Sequence, residues 1–261
     1  MPKRLQDAEL FLLDMDGTIY LENQAIDGAA QAIQKLKCLN KKICYLTNNS
    51  SKSSEQYLEK LKRLGFDAVK EEVVTSGKVA ADYISRFYKN QSIYLFGTDE
   101  LKQEFLSYGI NLTENDPDIV VIGFHTDMTY RELDLACKHI RQGKTFFATH
   151  PDKNCPALNG FMPDVGSFLS LIYTSTGRRP SKIFGKPYKY MVNYINRKFS
   201  TKAQNIAMVG DRLSTDIKFA NKFGMLSVLV LSGETDKEML KKSSTKPDLV
   251  FNSIKDMADL L

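Results

Sequence analysis

Short apolar runs alternate with amphipathic segments along most of the chain. The first run, residues 10–13, precedes a segment over 28–40 in which Ala29, Ile33 and Leu36 recur at helical spacing. The later apolar runs predict strands over 43–46, 73–76, 93–96, 119–122, 145–148, 206–209, 226–231 and 249–251. Helical patterns lie between them, among them 77–88, 130–141, 165–176 and 188–199. Strands that alternate with helices predict an α/β fold built on a doubly wound parallel sheet.

The middle of the chain restarts this pattern and predicts a second, smaller α/β domain. It has its own strands and helices from residue 92 onward, a loop over 150–163 rich in Pro, Asn and Gly, and a linker-like composition over 176–181. We therefore expect an inserted domain over 80–180 between the two parts of a core domain, 1–79 and 181–261.

Composition narrows the classes of function. The chain of 261 residues is 43% hydrophobic, and its 36 basic and 31 acidic residues give a net charge of +5 without a long basic block. Such a charge balance weakly favours anionic small molecules as ligands and argues against nucleic acid as a binding partner. No apolar stretch approaches the ~20 residues of a membrane span, and acids close the short apolar run near the amino terminus. The four cysteines form no CxxC pair. We expect a cytoplasmic protein that spans no membrane.

Two acids end the first apolar run, in the segment Asp14-Met15-Asp16-Gly17. Burying carboxylates at the end of a core strand costs free energy unless a cation or hydrogen-bond donors receive them. Side-chain alternation along a strand turns Asp14 and Asp16 the same way. They suit a hard divalent cation, most naturally Mg²⁺, and Gly17 lets main-chain amides over 15–18 cradle an anion. The alternative is a turn with solvated aspartates.

Three further polar groups follow apolar runs: Thr47 with Asn48 and Asn49, Lys186 in a Gly-Lys-Pro segment, and Asp211 with Asp216. The carboxyl ends of the strands of an open α/β sheet face one side, where ligands bind. These groups are therefore expected to meet there. Each alone has an ordinary structural explanation: a strand-end cap, a solvated loop lysine, a turn acid and a charge at a helix start.

Taken together, the four groups resemble the four motifs of the haloacid dehalogenase-like (HAD) hydrolase superfamily. Their order, and an insertion between the second and third motifs, resemble the NagD-like or 4-nitrophenylphosphatase branch, as does the segment Ala148-Thr149-His150-Pro151-Asp152. Many relatives carry Asn at the position of His150. The resemblance covers essentially the whole chain and implies a Rossmann-like core with an inserted cap domain.

The resemblance also implies a role for each residue. Asp14 would attack phosphorus and form an aspartyl-phosphate, and Asp16 would act as general acid and then general base. Mg²⁺ would be held by the carboxylates of Asp14 and Asp211 and by the main-chain carbonyl of Asp16, while Asp216 would reach the ion through water or orient the other ligands. The residues implied to bind substrate or its phosphoryl group are Met15, Gly17, Thr47, Asn48, Asn49, His150, Asp152 and Lys186, of which Thr47 and Lys186 would also assist catalysis.

The implied activity is Mg²⁺-dependent hydrolysis of small phosphate monoesters, such as a sugar phosphate, a nucleoside monophosphate or an aryl phosphate like 4-nitrophenyl phosphate. A phosphotransferase or phosphomutase would use the same acids. A phospho-accepting regulatory protein is a further alternative, although receiver domains are about half this length and lack the acid pair followed by Gly-Thr. A scaffold that merely retains the fold is not favoured by any residue. A cap domain often provides a dimer surface in such families, so the resemblance allows a homodimer without fixing the oligomeric state.

Overall fold

The computed structural model describes residues 4–157 and 160–261. The chain forms two compact units. The first comprises Met1–Thr47, Tyr57–Val74 and Val192–Leu261, and the second comprises Asn48–Gln56 and Thr75–Met191. The predicted inserted domain, 80–180, lies within the second unit, which extends beyond it at both ends. Its role as a separate inserted domain stays a prediction.

The first unit is built on a six-stranded sheet. Its strands are β1 (Leu10–Leu13), β4 (Lys42–Thr47), β5 (Val73–Thr75), β13 (Ile206–Gly210), β14 (Leu226–Val230) and β15 (Leu249–Phe251). They lie in the order β15-β14-β13-β1-β4-β5. The strand β1 pairs in parallel with both β4 and β13, and β13 continues in parallel to β14 and β15. Every residue of β1 is buried, as expected for a strand covered on both faces.

Amphipathic helices and one short hairpin complete this unit. Helix α1 buries Ala29, Ala32, Ile33 and Leu36, which share one face at helical spacing. Each large aliphatic side chain buried in this way contributes roughly 1.5–3 kcal/mol. The hairpin joins β2 (Tyr20–Leu21) to β3 (Gln24–Ala25). The helices that lie in or enter this unit are α1 (Ala29–Cys38), α2 (Ser54–Arg63), α7 (Lys189–Phe199), α8 (Lys218–Phe223), α9 (Lys237–Lys242) and α10 (Ile254–Asp259).

The second unit has its own five-stranded parallel sheet, in the order β12-β9-β8-β6-β7. Its strands are β6 (Ser92–Phe96), β7 (Asn111–Leu112), β8 (Ile119–Ile122), β9 (Thr145–Ala148) and β12 (Lys182–Ile183). Its helices are α3 (Ser76–Phe87), α4 (Asp99–Ser107), α5 (Tyr130–Arg141) and α6 (Val165–Thr176). An antiparallel hairpin of β10 (Asn154–Ala157) and β11 (Gly160–Pro163) precedes α6.

The predicted fold class is confirmed, because both units contain parallel sheets and helices in alternation. The prediction of a loop over 150–163 is wrong for most of its length, since β10 and β11 occupy it; residues 158 and 159 lie outside the described residues. All four residues of β11 are exposed, so the hairpin has no apolar alternation that would have marked it as strand. Within the described residues, no helix is long and apolar enough to cross a membrane.

Candidate functional site

Three buried aspartates converge in the first unit. Asp14 follows β1 directly and Asp211 follows β13, and these strands are adjacent and parallel with Leu13 opposite Val209. Asp216 lies in a π-helical turn, Leu213–Ile217, that follows Asp211 closely. One carboxylate oxygen of each aspartate lies within 4.8 Å of the others. The structure thus brings together three of the predicted metal ligands.

The main chain around Asp211 fixes the direction of its carboxylate. Its Oδ2 accepts a hydrogen bond from the Glu234 amide at 2.7 Å. Its Oδ1 is buried and has no hydrogen-bond partner within the described part of the chain. A Cβ at Gly17 would lie 2.3 Å from Asp211 Oδ2, and one at Gly233 would lie 2.1 Å from it. Only glycine permits this close approach of two loops to the carboxylate.

The three carboxylates repel one another. Burial raises the pKa of Asp211 well above its usual range, and the charges of Asp14 and Asp216 raise it further, while the hydrogen bond from Glu234 opposes this. Asp216, with 0% exposure, accepts the Arg212 amide at 3.1 Å. Buried like charges are stable only when a cation or hydrogen bonds compensate them.

This donor set fits a hard divalent cation. Such ions take oxygen ligands, and carboxylates are their preferred protein ligands. The buried oxygen of Asp211 that lacks a partner, and the glycines that clear space beside it, agree with such a site. Asp16 is not part of this side-chain cluster; its predicted contribution through the main-chain carbonyl stays a prediction.

Asp16 lies in the tight turn after β1, where Gly17 adopts φ = 84° and donates its amide to Tyr20 O at 2.8 Å. Burial raises the pKa of the Asp16 carboxyl, and Asp14 raises it further, whereas Lys60 and Arg212 lower it. The Lys60 ammonium lies 3.8 Å from the centroid of the Tyr20 ring. Asp16 therefore has a carboxyl group that holds its proton to higher pH than an exposed aspartate does.

Thr47 ends β4, the other neighbour of β1, where Tyr45 pairs with Leu13. The predicted residues Asp14 and Thr47 thus occupy the carboxyl ends of adjacent strands, as expected for an open α/β sheet. Met15 is fully buried, and its carbonyl accepts the amides that close the turn. The first unit therefore contains Asp14, Met15, Asp16, Gly17, Thr47, Asp211 and Asp216.

The remaining predicted residues belong to the second unit, where Asn48 contacts Lys186. Lys186 is 2% exposed. The Lys186 amide donates to Asn48 Oδ1 at 2.7 Å, and Asn48 Nδ2 donates to Lys186 O at 3.0 Å. Asn48 Nδ2 also lies 3.1 Å from both carboxylate oxygens of Asp152. The structure therefore brings together three residues that the sequence predicted separately.

The other two predicted residues of this unit, His150 and Asn49, have hydrogen-bond partners within the same unit. His150 is fully buried; its Nε2 lies 2.9 Å from Asp164 Oδ1, and its Nδ1 lies 3.1 Å from Thr149 Oγ1 and 3.3 Å from Ser76 Oγ. Asn49 Oδ1 accepts both the amide and the hydroxyl of Ser51, at 2.9 and 2.8 Å. These contacts are typical of residues that stabilise loops.

Comparison with known proteins places the chain in a family. It is 35% identical over 245 residues to an acid sugar phosphatase of Staphylococcus haemolyticus (strain JCSC1435), covering 94% of this chain and 93% of that one. The family model described as haloacid dehalogenase-like hydrolase matches residues 11–111, and a second HAD-hydrolase-like model matches 183–257. The chain belongs to the haloacid dehalogenase-like hydrolase family.

Solved structures of HAD-like hydrolases agree with this assignment. A 4-nitrophenylphosphatase from Thermotoga maritima has a TM-score of 0.95 and 44% identity, with 98% of each chain covered. A glycerol phosphate phosphatase from Mycobacterium tuberculosis, in complex with calcium, has a TM-score of 0.88 and 29% identity, covering 98% of this chain and 77% of that one. The predicted resemblance to the 4-nitrophenylphosphatase branch is confirmed.

Two parts of the chain that support the candidate site residues were not predicted from the sequence. One is the segment after β14, in which Ser232 donates to Gly17 O at 2.8 Å and the Glu234 amide binds Asp211. An apolar run ending in Ser-Gly-Glu-Thr repeats the pattern seen after β1, and that repetition was an available signal. The other is Asp164, whose contact with His150 leaves no local trace in the sequence.

Proposed function

We propose that this protein is a divalent-metal-dependent phosphatase that hydrolyses small phosphate monoesters. The observation that carries the proposal is the convergence of three buried carboxylates: Asp14 and Asp211 directly follow adjacent parallel strands, and Asp216 lies in the turn after Asp211. A packed core does not need three such acids, whereas a cation that binds phosphate does. The names of the relatives, an acid sugar phosphatase and a 4-nitrophenylphosphatase, support sugar phosphates and aryl phosphates as the substrate classes to test.

Mg²⁺ is the proposed ion, held by Asp14, Asp211, Asp216 and the main-chain carbonyl of Asp16. The relative from M. tuberculosis was solved in complex with calcium, which supports a hard divalent ion as the class of ligand to test. When bound, the ion would neutralise charge on the phosphoryl oxygens and orient them. The buried Asp211 oxygen without a protein partner supports this assignment.

Asp14 is the proposed nucleophile. Its carboxylate oxygen would form a bond to phosphorus while the bond between phosphorus and the ester oxygen breaks, which gives an aspartyl-phosphate. Asp16 would give its proton to the departing ester oxygen, and the raised pKa of its carboxyl favours the protonated form that this step needs. Asp16 would then take a proton from the water that cleaves the aspartyl-phosphate and releases inorganic phosphate.

Thr47 and Lys186 are proposed to bind the phosphoryl oxygens through a hydroxyl and an ammonium group. The Gly17 amide already donates to Tyr20 O, which favours other amides of the turn as phosphate donors. Substrate contacts by His150, Asp152 and Asn49 stay predictions from the resemblance; the complete burial of His150 favours a supporting role. Location in the cytoplasm and a homodimer also stay predictions.

The test is phosphate release from 4-nitrophenyl phosphate and a panel of sugar phosphates, with Mg²⁺ or with chelator. We expect release that depends on the metal and that Asp14→Asn abolishes while the circular dichroism spectrum is unchanged. The matched control is Asp248→Asn, the same chemical change at an exposed aspartate of the first unit. Release that persists in Asp14→Asn would exclude Asp14 as nucleophile, and phosphoryl transfer to an acceptor without net hydrolysis would favour a phosphotransferase.

A further inference from the structure

Asn48 holds both main-chain polar groups of Lys186. Its Oδ1 accepts the Lys186 amide at 2.7 Å and its Nδ2 donates to the Lys186 carbonyl at 3.0 Å, so one carboxamide engages one residue at two points. Such a contact fixes the main chain from which the lysine side chain extends. Asn48 is 5% exposed and Lys186 is 2% exposed, so water does not readily compete with these bonds.

The hydrogen-bonding capacity of Asn48 is committed by these contacts. A carboxamide has two N–H donors, and Asn48 Nδ2 faces Lys186 O at 3.0 Å and the Asp152 carboxylate at 3.1 Å. The orientation of the amide is determined by its neighbours, because the nitrogen faces acceptors and the oxygen faces an N–H donor. No side-chain N–H of Asn48 therefore remains to donate to a phosphoryl group.

The main chain around Asp152 is itself held by the start of α6. The Gly166 amide donates to Asp152 O at 2.7 Å, and the Asp164 amide donates to Lys153 O at 2.9 Å. Asp164 Oδ1 accepts the Val165 amide at 2.6 Å and lies 2.9 Å from His150 Nε2. The segment that carries His150 and Asp152 is thus fixed at several points.

Gly185 permits this arrangement next to Lys186. A Cβ at Gly185 would lie 2.6 Å from Asn48 Oδ1 and 2.6 Å from His150 Cβ. Any larger residue at 185 would displace one of these side chains. The glycine before the lysine therefore admits the asparagine that holds the lysine main chain.

We propose that Asn48 is a positioning residue for Lys186, with Asp152 as its support, and that its side chain is not a phosphate ligand. The assignment rests on the proposed function, because it concerns the lysine that would bind the phosphoryl group. The family resemblance implied that Asn48 binds the phosphoryl group without specifying its side chain, so a phosphate contact of its main-chain amide is compatible with this assignment. The assignment also gives Asp152 a function that requires no contact with substrate.

The first test does not require enzymatic activity. Asn48→Ala removes the acceptor of the Lys186 amide, and a buried hydrogen bond of this kind contributes roughly 1–3 kcal/mol, or about 5- to 150-fold in an equilibrium constant. We expect hydrogen exchange in a peptide covering 184–188 to quicken by roughly 5-fold or more, and peptides from β6 and β8 to remain unchanged. Unchanged exchange at 184–188 would overturn the proposal whatever the enzyme does.

The second test is a double-mutant cycle on turnover of 4-nitrophenyl phosphate. Lys186→Met removes the ammonium, and Asn48→Ala alone should lower kcat about 10- to 100-fold, in the range set by one misplaced catalytic group. In the Lys186→Met background, Asn48→Ala should cost less than about 3-fold more, because the group that it positions is gone. Full additivity of the two losses would show that Asn48 acts independently of Lys186 and would overturn the proposal.

A rescue separates positioning from direct phosphate binding. Asn48→Asp places two carboxylates against each other and also removes the donor to Lys186 O, and adding Asp152→Asn restores only the hydrogen bond between residues 48 and 152. The double variant should recover at least 5-fold of the kcat that Asn48→Asp loses. If the side chain at residue 48 bound phosphate directly, its negative charge would repel phosphate in both variants and no activity would return. The absence of recovery would therefore contradict the proposal. Asn111→Ala, at an exposed asparagine in β7, is the matched control and should change neither kcat nor exchange at 184–188.

Absence of phosphatase activity in the wild-type protein would refute the proposed function. It would leave the exchange measurement to decide whether Asn48 holds Lys186. The two failures are therefore distinguishable.

Discussion

Replacing Asp211 with Asn should stabilise the metal-free protein while it weakens metal binding. The carboxylate of Asp211 lies among those of Asp14 and Asp216, with one oxygen of each within 4.8 Å of the others. Burial first, and then these two charges, raise the pKa of Asp211, so its ionised form costs free energy in the folded state. Asparagine keeps an oxygen for the Glu234 amide and removes the negative charge beside the two remaining carboxylates.

The size of the effect follows from the geometry. Two unit charges 4.8 Å apart repel by about 3.5 kcal/mol at an effective dielectric constant of ~20. The hydrogen bond from Glu234 and the charge of Arg212 offset part of this repulsion. We therefore expect Asp211→Asn to raise the free energy of unfolding by about 1–3 kcal/mol in chelator. At roughly 2–4 °C per kcal/mol, the midpoint should rise by about 2–12 °C.

The assay is thermal unfolding by scanning calorimetry, in chelator and across a titration of Mg²⁺. Wild-type protein should gain about 2.7 kcal/mol at a hundred times the dissociation constant of the ion, whereas the variant should gain little at the same concentrations. Asp248→Asn, which alters an exposed acid that accepts hydrogen bonds from Ser227, should not stabilise the protein. The reasoning is refuted if Asp211→Asn unfolds below the wild type in chelator, or if Mg²⁺ raises both midpoints equally.

Three further outcomes are expected. Asp16→Ala should slow hydrolysis of an alkyl phosphate by about 10²- to 10⁴-fold but of an aryl phosphate much less, because a good leaving group needs no proton; equal losses in steady-state rates would contradict the general-acid role. Gly233→Ala places a Cβ 2.1 Å from Asp211 Oδ2 and should raise the Mg²⁺ concentration for half-maximal activity about 10-fold or more; an unchanged Mg²⁺ titration would refute this. Burial raises the pKa of the Glu104 carboxyl above the ordinary value of 4.5. The free energy of unfolding should therefore fall as the pH rises from the pKa of Glu104 in the unfolded chain to its higher pKa in the folded protein. In denaturant unfolding, the free energy of unfolding should depend less steeply on pH in Glu104→Gln than in the wild type. An identical pH dependence in both proteins would exclude Glu104 as its source.

Elements with strong periodicity were predictable from the sequence. Strand β9 and helices α5 and α6 have the predicted bounds. At the start of α2, Ser53 and Gln56 exchange the two hydrogen bonds of a capping box, at 3.1 and 3.3 Å. The hairpin of β10 and β11 was missed because it is a two-stranded ribbon with prolines and exposed side chains. Its stability depends on surroundings, which a local sequence pattern does not reveal.

The candidate site likewise contains residues that could be predicted from the sequence and residues that could not. Asp14 and Asp211 were predictable because each ends an apolar run, and parallel strands bring such ends together. The role of Asn48 was not, because its partner Lys186 lies 138 residues away and no local spacing links the two. The support of Asp211 by the Glu234 amide is a main-chain contact, which depends on the path of the loop rather than on the identity of the residue.

The order of strands in the six-stranded sheet sets when this protein can become active during its synthesis. Strand β1 is made well before its neighbour β13, because nearly the whole second unit lies between them in the chain. The stretch Thr75–Met191 of the second unit is complete before then. Because Asp211 and Asp216 follow β13, a nascent chain that has not yet reached β13 has Asp14 without its companion acids. The proposed metal site is thus absent from a ribosome-bound fragment, whose premature release would yield an inactive chain with an unpaired edge on β1.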